Sequence, residues 1–281
     1  MSEPHAVPPE SSEIVYSLIE DIDGIEIAAR YRRGDDPLLV YLHGWGRSLA
    51  DFAPYLGRGP WSAVALDLPG FGRSTPPLRP MGARGYAELL REPLASLRRR
   101  LQASRMILVG HSFGGRIAAE FAGLATDADA LAGVVIVASP LLRPQGGRPA
   151  LGYRVVRSLH AAHLVPATAL EWARGRWGST DYRQATGVMR DVLVRTVNEQ
   201  HLGALERARV PVELVWGALD TACPVPLAER VAARVAGANL DIRAGVGHDV
   251  PRDAPEAVWG AIHRLLGRIE PPVGCEEQLS E

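Results

Sequence analysis

The sequence predicts an α/β fold, a mainly parallel eight-stranded sheet with helices on both faces. Three observations predict it. Short apolar runs alternate with helical patterns along most of the chain. The runs are continuous in Val, Leu and Ile instead of alternating with polar residues, which marks strands covered on both sides. A chain of 281 residues, 47% hydrophobic and 22% charged, is also long and apolar enough to bury one core of that kind.

Taken in order, residues 12–20 and 24–31 read as two strands joined at Asp21-Ile22-Asp23-Gly24, whose Asp-Gly ending suits a tight hairpin. Further strands are expected at 37–42, 61–66, 105–110, 133–138, 212–217 and 239–244. Helical patterns at 82–103, 113–125, 224–236 and 254–268 separate most of them. The interval 141–210 breaks the rhythm. It holds Tyr153, Trp172, Trp177 and Tyr182, several helix-like stretches and no strand-like run, and it is far too long for a crossover, so it reads as a helical insertion. The core is therefore expected at 12–140 and 211–269, with disordered tails at 1–11 and 270–281.

Composition removes several function classes. A formal net charge of −1 and a pI near 6.7 argue against a nucleic-acid partner. The run Arg98-Arg99-Arg100 reads as the solvated face of a helix. All 31 basic residues are arginine, so a Schiff-base lysine, a pyridoxal phosphate anchor and the lysine of a P-loop are excluded together. Cys223 and Cys275 are too few and too far apart for a disulfide framework or a zinc site. His160 and His163 lack nearby Cys or carboxylate partners and read as an exposed pair, so no metal and no cofactor is expected. No segment has the unbroken apolar length of a membrane span. The polar, acidic N-terminal segment is unlike a secretory signal, so a cytoplasmic location is expected.

The strongest motif is Gly110-His111-Ser112-Phe113-Gly114-Gly115, which follows the apolar run from Met106 and precedes an alanine-rich helical segment. This is G-x-S-x-G in a strand–turn–helix context. Gly110 and Gly114 are expected where a Cβ would collide with neighbouring chain, and the strained turn lifts the Ser112 hydroxyl clear of the sheet. Chemistry in open parallel sheets collects beyond the carboxyl ends of the strands. There the chain also carries His43-Gly44-Trp45-Gly46, Asp67-Leu68-Pro69-Gly70-Phe71-Gly72-Arg73-Ser74, Ala218-Leu219-Asp220 and Gly245-Val246-Gly247-His248-Asp249. Nucleophile, acid and histidine thus come in the order Ser112, Asp220, His248.

With these pieces in place, the chain resembles the α/β-hydrolase family from about residue 12 to 268. The match is carried by Leu42-His43-Gly44-Trp45-Gly46, the 67–74 loop, the Ser112 elbow, Trp216-Gly217-Ala218-Leu219-Asp220 and Gly247-His248. The resemblance implies a Ser112 nucleophile, a His248 base and an Asp220 acid. It also implies an oxyanion hole from the backbone N–H groups of Trp45 and Phe113, and a helical cap at 141–210, between the sixth and seventh strands. The pattern departs at Asp249, a second acid beside the base, which is expected to face solvent or a neighbouring loop.

The residue types suit this chemistry. A serine hydroxyl needs a base in reach to become a nucleophile, imidazole titrates near neutrality, and a carboxylate fixes its tautomer. His43 is expected to orient the oxyanion loop, His111 to be structural and Cys223 to be a packed loop residue. The insertion's aromatics either roof the substrate or form the insertion's own core. The implied function is a serine hydrolase cleaving an ester, thioester or related carbonyl compound of small-molecule size. The alternatives are carbon–carbon bond hydrolysis of a diketone-like substrate and a ligand-binding protein with little turnover.

Overall fold

The computed structural model describes residues 16–22, 24–143, 151–177 and 180–269. The expected disordered tails at 1–11 and 270–281, and Cys275 with them, lie outside the described residues. Eight strands form one sheet: β1 (Tyr16–Ile22), β2 (Ile25–Arg32), β3 (Asp35–Leu42), β4 (Trp61–Leu66), β5 (Met106–His111), β6 (Leu131–Val137), β7 (Val212–Gly217) and β8 (Asn239–Arg243), in the order β1-β2-β4-β3-β5-β6-β7-β8. The first two make the expected hairpin, with Gly24 at φ +81° and its N–H donating to Asp21 Oδ1 at 3.1 Å. β2 also pairs antiparallel with β4, and from β4 to β8 every pairing is parallel.

The continuous apolar runs have a direct structural meaning. Alternate residues of one strand point to opposite faces, and both faces are covered here. Leu38, Val40 and Leu42 of β3 face one core with Leu108, Ile136, Leu214 and Trp216, while Leu39 and Tyr41 face the other with Val109, Val135, Val137 and Val215. The first core is closed by α2 (Ala83–Arg100), α3 (Phe113–Leu124) and α9 (Val225–Ala232), the second by α1 (Ala53–Leu56) and α11 (Pro255–Leu266). A short helix, α10 (Val250–Asp253), leads into α11. The arginine run falls in the last turn of α2, where Arg98 Nη1 donates to the carbonyls of Ala103 and Ser104, both at 3.2 Å. Cations are favoured at that negative end of the helix dipole.

Between β6 and β7 the described residues form only helices: α4 (Leu151–Ala161), α5 (Ala167–Trp177), α6 (Thr180–Gln184), α7 (Gly187–Asn198) and α8 (Leu202–Glu206). The segment leaves and returns at one place, because the His201 N–H donates to Leu141 O at 2.9 Å. Its last helix packs on the sheet's own layer. A Cβ on Gly123 of α3 would lie 2.5 Å from Ala204 O. Among the described residues no helix is long and apolar enough to cross a membrane.

Candidate active site

β5 ends at His111, and the chain turns at once into α3. Ser112, between them, has φ +51° and ψ −107°, a backbone conformation that a side chain disfavours. The turn survives because its surroundings hold it. The Ser112 N–H donates to Val137 O at 2.9 Å, and Ser139 Oγ donates to Ser112 O at 2.7 Å. The flanking glycines are forced by contact. A Cβ on Gly110 would lie 2.4 Å from Gly114 O, and one on Gly114 would lie 2.1 Å from Leu42 O.

The loops after β7 and β8 meet this elbow. His248 Nε2 lies 3.0 Å from Ser112 Oγ, and His248 Nδ1 lies 2.7 Å from Asp220 Oδ2. Asp220 is buried, and its Oδ1 accepts from the N–H groups of Ala222 at 2.9 Å and Cys223 at 2.7 Å. One carboxylate oxygen is thus fixed by backbone while the other faces the imidazole. With Nδ1–H donating to Asp220, Nε2 accepts from the serine hydroxyl. The neighbouring acid is turned elsewhere, since the Asp249 carboxylate lies 3.1 Å from Arg47 and 3.0 Å from Arg252.

Trp45 and Phe113 both line the cavity beside Ser112. Phe113 is the first residue of α3, so its N–H has no partner within the helix. Neither the Phe113 nor the Trp45 N–H has an acceptor among the described residues. His43 holds the loop that carries Trp45. Its Nε2 accepts from the Leu68 N–H at 3.0 Å, so its Nδ1 carries the proton and donates to Gly44 O at 2.7 Å. Burial lowers the His43 pKa and keeps the ring neutral, as this bonding pattern requires.

The sequence profile of the alpha/beta hydrolase family matches residues 39–261, most of the chain. The chain belongs to that family. As an alpha/beta hydrolase it is 24% identical over 289 residues to an uncharacterised protein of Mycobacterium tuberculosis, covering 86% of this chain and 80% of that protein. A shorter stretch of 98 residues is 35% identical to 2-(acetamidomethylene)succinate hydrolase of Mesorhizobium japonicum, covering 34% of each chain. Among solved structures, an esterase from Exiguobacterium antarcticum superposes with a TM-score of 0.64 at 19% identity, over 88% of this chain and 98% of its own. That degree of identity speaks to the shared fold alone.

Ser112 and His248 open into a cavity of about 350 Å³, within the range of small-ligand sites. A larger depression, about 770 Å³, lies by Arg105 and Leu131 at the opposite, amino-terminal edge of β5 and β6, away from these groups. The cavity beside Ser112 is walled by Trp45 and Phe113 from the core and by Leu193, Thr196 and Val197 from α7. Its described lining contains no aromatic residue from the insertion, and Trp172 is 62% exposed. The aromatic wall instead belongs to core loops, where Trp45 packs edge-on against Phe71 at 4.9 Å and Phe113 at 5.4 Å.

Two further residues have roles that their positions in the chain did not announce. His111 Nε2 donates to His248 O at 2.9 Å, so the residue before Ser112 holds the backbone of His248. Burial pushes its pKa down to about 4, which keeps it neutral. Arg116, in the first turn of α3, lines the cavity and donates through Nη1 to Thr196 O at 2.9 Å. Cys223 is fully buried and its thiol is pushed up to about 12, the behaviour of a packed residue and not of a nucleophile. His160 Nδ1 lies 3.0 Å from Val165 O, and among the described residues no group of three or more His, Cys, Asp or Glu side chains is gathered as a metal site would need.

Proposed function

We propose that this protein is a serine hydrolase that cleaves a small-molecule carboxylic ester, thioester or related carbonyl compound through an acyl-enzyme. Ser112 is the nucleophile, His248 the general base and acid, and Asp220 the group that orients the imidazole. The Trp45 and Phe113 N–H groups form the oxyanion hole, and the helical insertion at 141–210 is the cap. One observation carries the reading: an unbroken line of hydrogen bonds from Asp220 to His248 to Ser112, at 2.7 and 3.0 Å, ends in an open cavity.

The steps follow from the bonding. As Ser112 Oγ attacks the carbonyl carbon, its proton passes to His248 Nε2, and the Asp220 carboxylate stabilises the imidazolium. The carbonyl oxygen becomes an oxyanion beside the two free N–H donors. Losing one such donor in another serine enzyme costs about 3–4 kcal/mol of transition-state stabilisation. His248 then gives the proton to the departing alcohol or thiol, and water repeats the sequence on the acyl-enzyme to release the acid. Membership of the alpha/beta hydrolase family and the stretch shared with 2-(acetamidomethylene)succinate hydrolase of Mesorhizobium japonicum support a hydrolytic reaction.

Fluorophosphonate labelling tests the nucleophile. Intact mass should show a single adduct on the wild-type protein and none on Ser112→Ala. Equal labelling of both proteins would remove Ser112 from its role. A panel of p-nitrophenyl esters of graded chain length then reads the acyl preference.

A further inference from the structure

The mechanism above gives no task to Arg116, a charged residue of the cavity lining. Arg116 stands four residues after Ser112, in the first turn of α3, where the helix dipole already presents its positive end. It is mostly buried, and among the described residues its Nε has no acceptor and its one side-chain hydrogen bond goes to Thr196 O at 2.9 Å. Among the described residues no carboxylate oxygen lies within 4.0 Å of it. Glu199, the acid whose field reaches it, is engaged elsewhere, accepting from the Ala83 N–H at 3.0 Å and standing 4.0 Å from His201 Nε2. Burial pushes Arg116 down to about 10, still far enough above neutrality to leave it charged.

The other arginine of the lining provides the contrast. Arg47 is neutralised by Asp51, through Nη2 at 2.9 Å, and by Asp249 at 3.1 Å. Asp181, also in the lining, is exposed and solvated. A buried cation at a helix N-terminus, with no acid against it, is destabilising twice over. It is what a site built to receive an anion from outside would contain.

We infer that Arg116 binds a carboxylate of the substrate, so that the compound cleaved at Ser112 is an acidic ester or a related acidic carbonyl compound. This inference rests on the serine-hydrolase reading of the same cavity. A guanidinium is planar and offers parallel N–H donors to both oxygens of a carboxylate, and Thr196 O fixes its orientation from one side. A neutral substrate of the same shape would leave the arginine buried and unpaired, which is the condition under which sites discriminate strongly.

Binding and turnover separate the two ideas. The hemimethyl esters of glutarate, adipate and pimelate, each paired with its terminal amide, are titrated calorimetrically into Ser112→Ala. At least one acid should bind about tenfold or more tightly than its amide. Adding Arg116→Gln should bring that ratio to near one, and Arg116→Lys should keep part of it. Circular dichroism checks folding, and the preference in Ser112→Ala is a test even where an Arg116 variant fails to fold. No acid preferred over its amide, or a preference that survives Arg116→Gln, overturns the inference. Fluorophosphonate labelling of the wild type stands apart. Lost labelling with the acid preference intact rejects the nucleophile and leaves the anion site, whereas intact labelling with no preference does the reverse.

Discussion

Asp220 and Asp249 both lie close to His248 along the chain or in space, and their surroundings assign them different work. Asp220 is buried, with one oxygen saturated by backbone N–H groups and the other 2.7 Å from the imidazole. Asp249 is clamped by Arg47 and Arg252. In a well-studied serine protease, aspartate to asparagine costs about 10⁴-fold in turnover through the wrong imidazole tautomer. On the proposed mechanism, Asp220→Asn should therefore remove most turnover of p-nitrophenyl esters, and Asp249→Asn should keep most of it, in steady-state rates of proteins shown to be folded. The opposite ranking would put the acid in the wrong place. His111→Phe fills the same space but leaves His248 O without its donor. Losing one hydrogen bond costs about 0.5–1.5 kcal/mol, so the urea midpoint should fall with an unchanged slope. An unshifted midpoint would mean that the bond contributes nothing to the folded state.

At the scale of elements, the elbow and the insertion behave oppositely. The elbow has no slack, because the atom a Gly114 Cβ would strike is the backbone oxygen of Leu42 in the neighbouring strand. Gly114→Ala should cost about 3 kcal/mol or more, at the upper end of overpacking effects, and equilibrium unfolding measures it. A variant as stable as wild type would show that β3 and α3 can move apart. The insertion starts and ends at one hydrogen bond, His201 N–H to Leu141 O. Replacing residues 143–198 with a short Gly/Ser linker should therefore leave the circular dichroism of the sheet and its helices largely intact. The p-nitrophenyl ester preference should change, because Leu193, Thr196 and Val197 leave the cavity wall. A folded deletion with an unaltered preference would count against a cap.

Over the whole molecule, the two buried histidines set a pH dependence. His43 and His111 are both held neutral by burial, and the His111 pKa falls from 6.5 to about 4. Between those values the unfolded chain binds a proton that the folded chain refuses, so stability is fully present above pH 6.5 and is lost as the pH drops towards 4. The thermal midpoint should follow this course, and His111→Phe should flatten part of the decline. A midpoint that stays level across the window would show that His111 protonates in the folded protein as readily as in the unfolded chain.

What the sequence determined by itself is whatever depends on neighbours along the chain. Val/Leu/Ile runs specify strands buried on both faces because consecutive side chains point to opposite layers, and the run at 106–110 does so for β5. The elbow is legible for the same reason, since its strain and glycine contacts arise within Gly110–Gly115 and the strands directly beside it. Asp220 and His248 were legible as residues at the ends of apolar runs. The tertiary structure decided which distant groups face one another. It turned the Asp220 carboxylate to His248 and the Asp249 carboxylate to Arg47, and it joined His111 to the carbonyl of His248 across 137 positions. It also set Arg116 beside Thr196 with no acid against it among the described residues, and packed Trp45 against Phe71 and Phe113 at the cavity. Such pairings leave no local pattern. They arise from how the ends of the parallel strands converge and how the insertion settles on them, and burial then holds His43 and His111 neutral.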